Sequence, residues 1–338
     1  MDDLFDITAE EGVHHLSVWS DPASGLRAIC VIDDVRLGPA ACGIRTQPYP
    51  STQHALADAA HLARAMTRKT ALAGLRAGGG SIVVLEHPAM DRDAAFRSLG
   101  RRIGEVAGAI RGGPDLGTRT EDLMVAAAET PHVQANIARV SRAVAMGVRT
   151  SIEACTRVRG AIELAGLRVA VQGCGAVGAA VARGLAEAGA TLVVADVDGE
   201  RARVVAEDTG ADVVEPSAIF EADVDVFAPC AMGGVLTETR ASQLKAWAVC
   251  GGANNIIASE RAEATLVERG VLWVPDIIAS AGGVVEGVGH DVMGLDDTAP
   301  LIQGLGRLAE EVLREAADQK RSAQAIALER AEARLSGR

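Results

Sequence analysis

Val171-Gln172-Gly173-Cys174-Gly175-Ala176-Val177-Gly178 lies between an apolar run, residues 167–171, and an alanine-rich stretch, residues 179–188. The apolar run has the length and β-branched content of a buried strand, and the alanine-rich stretch reads as a helix. The three glycines between them each answer a different steric demand. Gly173 permits a tight turn, Gly175 lets the backbone approach a ligand, and Gly178 lets the helix pack close to the strand. The helix N-terminus then offers unpaired N–H groups to an anion. A second apolar run, residues 191–195, ends at Asp196, eighteen residues beyond the third glycine. An acid there accepts hydrogen bonds from ribose hydroxyls and repels a 2′-phosphate, so the pattern predicts a dinucleotide site that favours NAD over NADP. A glycine-rich turn that binds nothing is the plainer alternative, and the strand–turn–helix–strand–acid order argues against it.

Further strand candidates at residues 224–227, 247–250 and 271–274 alternate with helical stretches. That alternation predicts a parallel, doubly wound sheet. Upstream, residues 16–19 and 27–32 read as strands, Ser51 as the N-cap of a helix reaching about residue 75, residues 82–85 as a buried strand and residues 91–110 as another helix. The fold expected is α/β in two domains: an N-terminal α/β domain for substrate binding and oligomerisation, and a C-terminal Rossmann domain with a doubly wound parallel sheet for NAD. The boundaries expected are 1–135 plus 305–338 for the first and 136–304 for the second. The tail from about Pro300 reads as two polar, alanine-rich helices.

The 338 residues suffice for two cores, and 49% apolar with 23% charged residues is the balance of a globular protein. A net charge of −12 disfavours nucleic acid and anionic membranes as partners. No apolar run is long enough to span a bilayer, and the start shows no signal-peptide pattern. The six cysteines are scattered singly, which suits a cytoplasmic protein with reduced thiols. No His/Cys/Asp/Glu cluster has metal-ligand spacing, so no metal is expected. Of 33 basic residues only Lys69, Lys245 and Lys320 are lysine. A chain that elsewhere chooses arginine keeps at 69 a compact ammonium whose pKa burial can move.

Lys69 belongs to a stretch, Met66-Thr-Arg-Lys-Thr-Ala-Leu-Ala-Gly-Leu-Arg-Ala-Gly-Gly-Gly-Ser81, that resembles the active-site segment of the Glu/Leu/Phe/Val dehydrogenase family, most of all its leucine, phenylalanine and valine members. The likeness continues through Ser24-Gly25-Leu26-Arg27-Ala28, Leu37-Gly38-Pro39-Ala40 with Gly43 and Arg45, Pro114-Asp115-Leu116-Gly117-Thr118, Ala228-Pro229-Cys230-Ala231, Gly252-Ala253-Asn254-Asn255, and Pro275-Asp276 with Ala281-Gly282-Gly283. The resemblance implies that Lys69 binds the substrate carboxylate and Asp115 moves protons at the reacting nitrogen. It implies that Ala41, Gly43, Gly113 and Asn254 line the substrate. It also implies that Gly173, Gly175, Ala176, Val177, Gly178, Asp196, Ala228, Pro229, Cys230 and Asn254 hold the cofactor. A homo-oligomer is implied as well. Ala41 replaces a larger apolar residue, which makes room for a bulkier side chain.

Three positions depart from the family pattern. Ser81 stands where the resemblance implies a second catalytic lysine, Val144 where it implies a threonine, and Ser280 where it implies an asparagine. A hydroxyl neither titrates near neutrality nor carries positive charge, so Ser81 cannot act as that lysine does. Three functions stay open: an oxidoreductase on amino acids or imines with altered proton handling, a conventional amino-acid dehydrogenase with a relocated base, and an NAD-binding pseudoenzyme. His290, with Glu286 nearby, is the histidine to watch as a substitute proton carrier. As a loop histidine it would carry none.

Overall fold

A computed structural model describes residues 4–13, 15–160 and 163–337. The chain divides into two compact units. One runs through Ile137 and takes back Glu286–Asp296 and the residues from Glu332; the other is Ala138–Val285 with Asp297–Ala331. Of the expected second segment of the first domain, residues 305–338, those through Ala331 group with the second unit and those from Glu332 with the first. The helix α12 (Ala299–Gln319) packs on α5 (Ile137–Arg159): a Cβ on Gly306 would lie 2.8 Å from Thr150, and Arg157 Nε donates to Glu310 at 2.6 Å.

The first unit opens with the helix α1 (Leu4–Glu10) and holds five strands: β1 (His15–Asp21), β2 (Leu26–Asp34), β3 (Ala40–Gln47), β4 (Gly78–Leu85) and β5 (Ile110–Pro114). Their order is β1-β2-β4-β3-β5, with β1–β2 and β2–β4 antiparallel and β4–β3–β5 parallel. The helix α2 (Thr52–Leu72), capped by Ser51, covers one face through Ala55, Leu56, Ala59 and Ala63, which pack on Ile29, Val31 and Val83. The helices α3 (Arg92–Glu105) and α4 (Thr120–Ala127) cover the other, around Phe96, Leu99, Ile103 and Ile44.

Glycine is a poor strand residue, yet Gly78, Gly79 and Gly80 begin β4. A Cβ on Gly79 would lie 2.0 Å from the Thr67 backbone nitrogen, and one on Gly80 would lie 2.6 Å from Cys42 Sγ. The bare strand lets α2 settle directly onto the sheet, which brings the end of that helix down to the strand ends.

The second unit is built on six parallel strands: β6 (Arg168–Gln172), β7 (Thr191–Ala195), β8 (Asp212–Val213), β9 (Val226–Pro229), β10 (Ala248–Val249) and β11 (Leu272–Trp273). The order β11-β10-β9-β6-β7-β8 is the doubly wound Rossmann arrangement, with its topological switch between β6 and β9. The helices α6 (Ala176–Glu187), α7 (Gly199–Thr209), α8 (Glu238–Gln243) and α9 (Glu260–Glu268) lie between them, and α10 (Asp276–Ala279) follows β11. The chain ends in α11 (Gly282–Met293), α12 and α13 (Ala323–Leu335). Among the described residues no helix is long and apolar enough to cross a membrane.

Candidate active site

Of the residues expected to line the substrate, Ala41, Gly43 and Gly113 are laid out by strand register in the first unit. Ser81 on β4, Gly43 on β3 and Gly113 on β5 stand in one row, with Gly79, Ala41 and Arg111 in the row before it. Side chains alternate along a strand, so Gly79, Ser81 and Val83 share the face of the sheet that α2 covers. By the same alternation Ala41, Gly43 and Arg45 share it on β3, and Arg45 does reach Asp58 of α2. The floor thus carries no side chain larger than methyl or hydroxymethyl at Ala41, Gly43, Gly79, Ser81 and Gly113. A Cβ on Gly113 would meet nothing within 4 Å, so the floor is open there.

Two polar groups stand at this floor, and a third, Lys69, is buried on the helix that covers it. Asp115, just past β5, hangs over Gly43: a Cβ on that glycine would lie 3.1 Å from Asp115 Oδ2. Lys69, in the last turn of α2, is only 5% exposed, which sets aside the solvated helix lysine as its role. Ser81 is 1% exposed, and its Oγ finds no hydrogen-bond partner among the described residues.

Arg45 fits the family pattern, and its role becomes visible only in the fold. Its Nε lies 3.3 Å from Asp115 Oδ2, and its Nη1 donates to Asp58 at 3.1 and 3.2 Å. Tyr49 donates its hydroxyl to the same Asp58 at 2.5 Å. Burial works against the Arg45 charge, but Asp115 and Asp58 outweigh it and hold the guanidinium above its ordinary range. Asp58 lies thirteen residues from Arg45, too far for any local spacing to announce the pair.

The residues expected to hold the cofactor lie in the second unit, at the switch between β6 and β9. Gly173 has φ +97, and a Cβ there would lie 2.6 Å from that of Ala231. A Cβ on Gly178 would lie 1.8 Å from the Gly173 carbonyl oxygen, whereas one on Gly175 would meet nothing within 4 Å. The outer glycines are thus required by packing, and the middle one faces open space at the N-terminus of α6, where Ala176 and Val177 begin the helix. This cradle fits a pyrophosphate. Asp196 accepts from the Cys174 backbone N–H at 2.6 Å and from that of Asp198 at 2.8 Å, which anchors the loop to the end of β7. Cys174 is no reactive thiol, since burial, and less so Asp196, pushes its pKa up to about 11.

Beneath the loop run Ala228, Pro229 and Cys230 at the end of β9, with Cys230 N–H bonded to the Gln172 carbonyl at 2.7 Å. Asn254 sits beside Asn255, whose φ of 51 is fixed by its N–H donating to buried Asp276 at 2.9 Å. Ser280 Oγ donates to the Asp276 carbonyl at 2.8 Å and lies 3.5 Å from Asn254 Oδ1. Val144 also comes to this place, since Cβ atoms on Gly252 and Gly283 would lie 3.2 and 2.9 Å from it. Val144 and Ser280, two of the three positions expected to depart from the family pattern, thus both lie near the Asn254 loop and the start of α11 within the second unit.

His290 lies in a helix, α11, and not in a loop as the glycines around it suggest. Its Nδ1 is 2.5 Å from the Leu295 carbonyl and its Nε2 3.3 Å from Glu286 Oε1, which is buried one turn earlier.

A family model described as Glu/Leu/Phe/Val dehydrogenase, dimerisation domain, matches residues 12–132, and one described as Glutamate/Leucine/Phenylalanine/Valine dehydrogenase matches residues 195–288. The leucine dehydrogenase of Thermoactinomyces intermedius is 36% identical over 299 residues, covering 86% of this chain and 81% of that protein. The phenylalanine dehydrogenase of Bacillus thermotolerans is 36% identical over 280 residues, covering 79% and 73%. The crystal structure of L-tryptophan dehydrogenase from Nostoc punctiforme aligns with a TM-score of 0.80 and 32% identity over 99% of both chains. With glycine cradle, two-unit fold and ordered matches in agreement, the chain belongs to the Glu/Leu/Phe/Val dehydrogenase family of NAD(P)-dependent amino-acid dehydrogenases.

Proposed function

We propose that the protein is an NAD-dependent oxidoreductase for the CH–NH2 or C=N group of an amino acid or its imine, altered in how protons are moved. The observation that carries this reading is Ser81: a buried, unpartnered hydroxyl at the family's lysine position, while Lys69 and Asp115 are kept. When bound, the nicotinamide accepts or gives a hydride at C4. Lys69 binds the substrate carboxylate, and Asp115, steadied by Arg45, takes the amine proton as the hydride leaves the α-carbon. Amino acid and NAD+ thus give imine, NADH and one proton. Hydrolysis of the imine to 2-oxo acid and ammonia needs a further group to activate water, and a serine hydroxyl is not one. Ala41 and Gly43 leave room for a bulky side chain, Asn254 serves both substrate and nicotinamide, and Asp196 sets the preference for NAD. The working form is a homo-oligomer.

The test is NADH oxidation by a panel of 2-oxo acids with ammonium, comparing wild type with Ser81→Lys. The expected result is a silent wild type and a lysine variant that turns over, since a general acid/base is worth about 10²–10⁴ in rate. An active wild type overturns the altered-chemistry reading.

A relocated base is the second reading, and the His290–Glu286 contact favours it. The His290 Nδ1 faces the Leu295 carbonyl and donates to it, which leaves Nε2 turned toward Glu286 Oε1. On this reading the wild type deaminates, and His290→Asn lowers kcat by about 10²–10⁴.

A further inference from the structure

We propose that Arg92 is a positioning residue for the amino-acid oxidoreductase reaction, holding from the helix α3 the turn that carries Asp115. This rests on the reading above, in which Asp115 takes the amine proton, and names what keeps that carboxylate in place.

The turn comes first. Asp115 opens it, its carbonyl accepting from the Thr118 N–H at 3.2 Å. Gly117, the third of the four residues, has φ +75, the left-handed value a type II turn needs there. A Cβ on that glycine would lie 1.8 Å from the Thr46 carbonyl oxygen, so the turn sits hard against β3. Within it the Leu116 N–H donates to Asp115 Oδ1 at 2.7 Å, so the direction of the carboxylate follows the path of the backbone. Thr46 N–H donates to the Leu116 carbonyl at 2.9 Å, and the Thr118 hydroxyl to that of Ile44 at 2.5 Å. These last two bonds run to a single strand and fix only one edge of the turn.

Arg92 supplies the other edge. It is the first residue of α3, where a cation opposes the helix dipole, so it is not placed there for that helix. Its Nη2 donates to the Gly117 carbonyl at 2.6 Å. Nε donates to Asp122 Oδ1 at 2.9 Å and Nη2 to Oδ2 at 2.7 Å, the forked pairing a planar guanidinium makes with a carboxylate. Nη1 donates to Glu86, just past β4, and the guanidinium carbon lies 5.7 Å from the centre of the buried Phe96 ring. Asp122 is itself held: it is buried and accepts from the Arg119 N–H at 2.7 Å, closing the first turn of α4. The donor that meets Gly117 is therefore fixed from α3, α4 and the end of β4 at once. Lysine could not do this, being a point charge on a flexible stem.

Arg92→Gln alone strands the buried Asp122 charge and endangers the fold. The variant to measure is Arg92→Gln with Asp122→Asn, in which the side-chain oxygen at 122 can still accept from the Arg119 N–H. Asp122→Asn alone keeps the Arg92 donor on Gly117 and is the control. Each full-length protein is compared by backbone amide exchange and by NAD+ reduction with a panel of aliphatic and aromatic L-amino acids. The fastest amino acid is then run with hydrogen or deuterium at Cα. In the double variant the Leu116 and Thr118 amides should exchange faster than in the control, with those of β4 unchanged. Its kcat should fall about 10²-fold with KM little changed, the cost of a carboxylate displaced by about 1 Å. The deuterium effect on kcat should grow, because proton and hydride then move in the slowest step. A merely structural role would leave fewer folded molecules and the same isotope effect. Unchanged exchange at Leu116 and Thr118, or a kcat or isotope effect equal to the control's, overturns the proposal and leaves the oxidoreductase reading standing. A wild type that reduces NAD+ with no amino acid removes that reading, and the proposal with it.

Discussion

At the scale of single residues, this protein is governed by side chains that are missing as much as by those present. Gly79→Ala would drive a methyl to 2.0 Å from the Thr67 nitrogen, and overpacking of that kind costs about 1–3 kcal/mol. The expected outcome is a lower urea midpoint at unchanged m value. Arg45 is held between Asp115 and Asp58 at 13% side-chain exposure. Arg45→Met should cost about 3–5 kcal/mol because it strands two carboxylates, and adding Asp58→Asn and Asp115→Asn should recover much of that loss. Equal stability of the single and triple variants in chemical denaturation would rule this account out. Lys69 is legible in the sequence itself, from the scarcity of lysine and the small residues around it, and its burial agrees. The Arg45–Asp58–Tyr49 network is not, because its members come from a strand, a helix and the loop between them, and only folding makes them neighbours.

At the scale of elements, the sequence is most readable where local preference and tertiary demand agree. Residues 167–171 and 191–195 read as strands and form β6 and β7 within one residue, because runs of valine have little other use. The beginning of β4 and all of β3 escape such a reading because glycine and alanine carry no strand signal; their reason is the close approach of α2 and the openness of the floor. The helix expected over residues 91–110 stops at Glu105, where Ala107 and Gly108 take positive φ and turn the chain into β5. The helix starts are plainer. Ser51 accepts from the His54 N–H and Asp91 from that of Ala94, and replacing either by alanine should cost about 1 kcal/mol in thermal or chemical unfolding. The glycine loop offers a chemical probe. With its pKa at about 11 against an ordinary 9.0, the Cys174 thiolate is about 100-fold scarcer near neutrality than a free one. Alkylation, followed by mass, should be slower by that factor and should rise with pH up to about 11.

At the scale of the whole molecule, the two units divide the work by chemistry: one collects charge at a floor of small residues, the other offers backbone N–H groups at a sheet switch point. A nicotinamide dinucleotide at 100 times its Kd should stabilise the folded state by about 2.7 kcal/mol. The corresponding rise in unfolding midpoint should be larger for NADH than for NADPH, and Asp196→Ala should erase the difference. The rarity of lysine also has a practical side. Because the first unit contains one lysine in a chain of 338 residues, an amine-directed reagent followed by peptide mapping reports on a single internal position there. Slow acylation of Lys69, slowed further by a carboxylate ligand, would make the protein its own gauge of occupancy, with no reporter group to install.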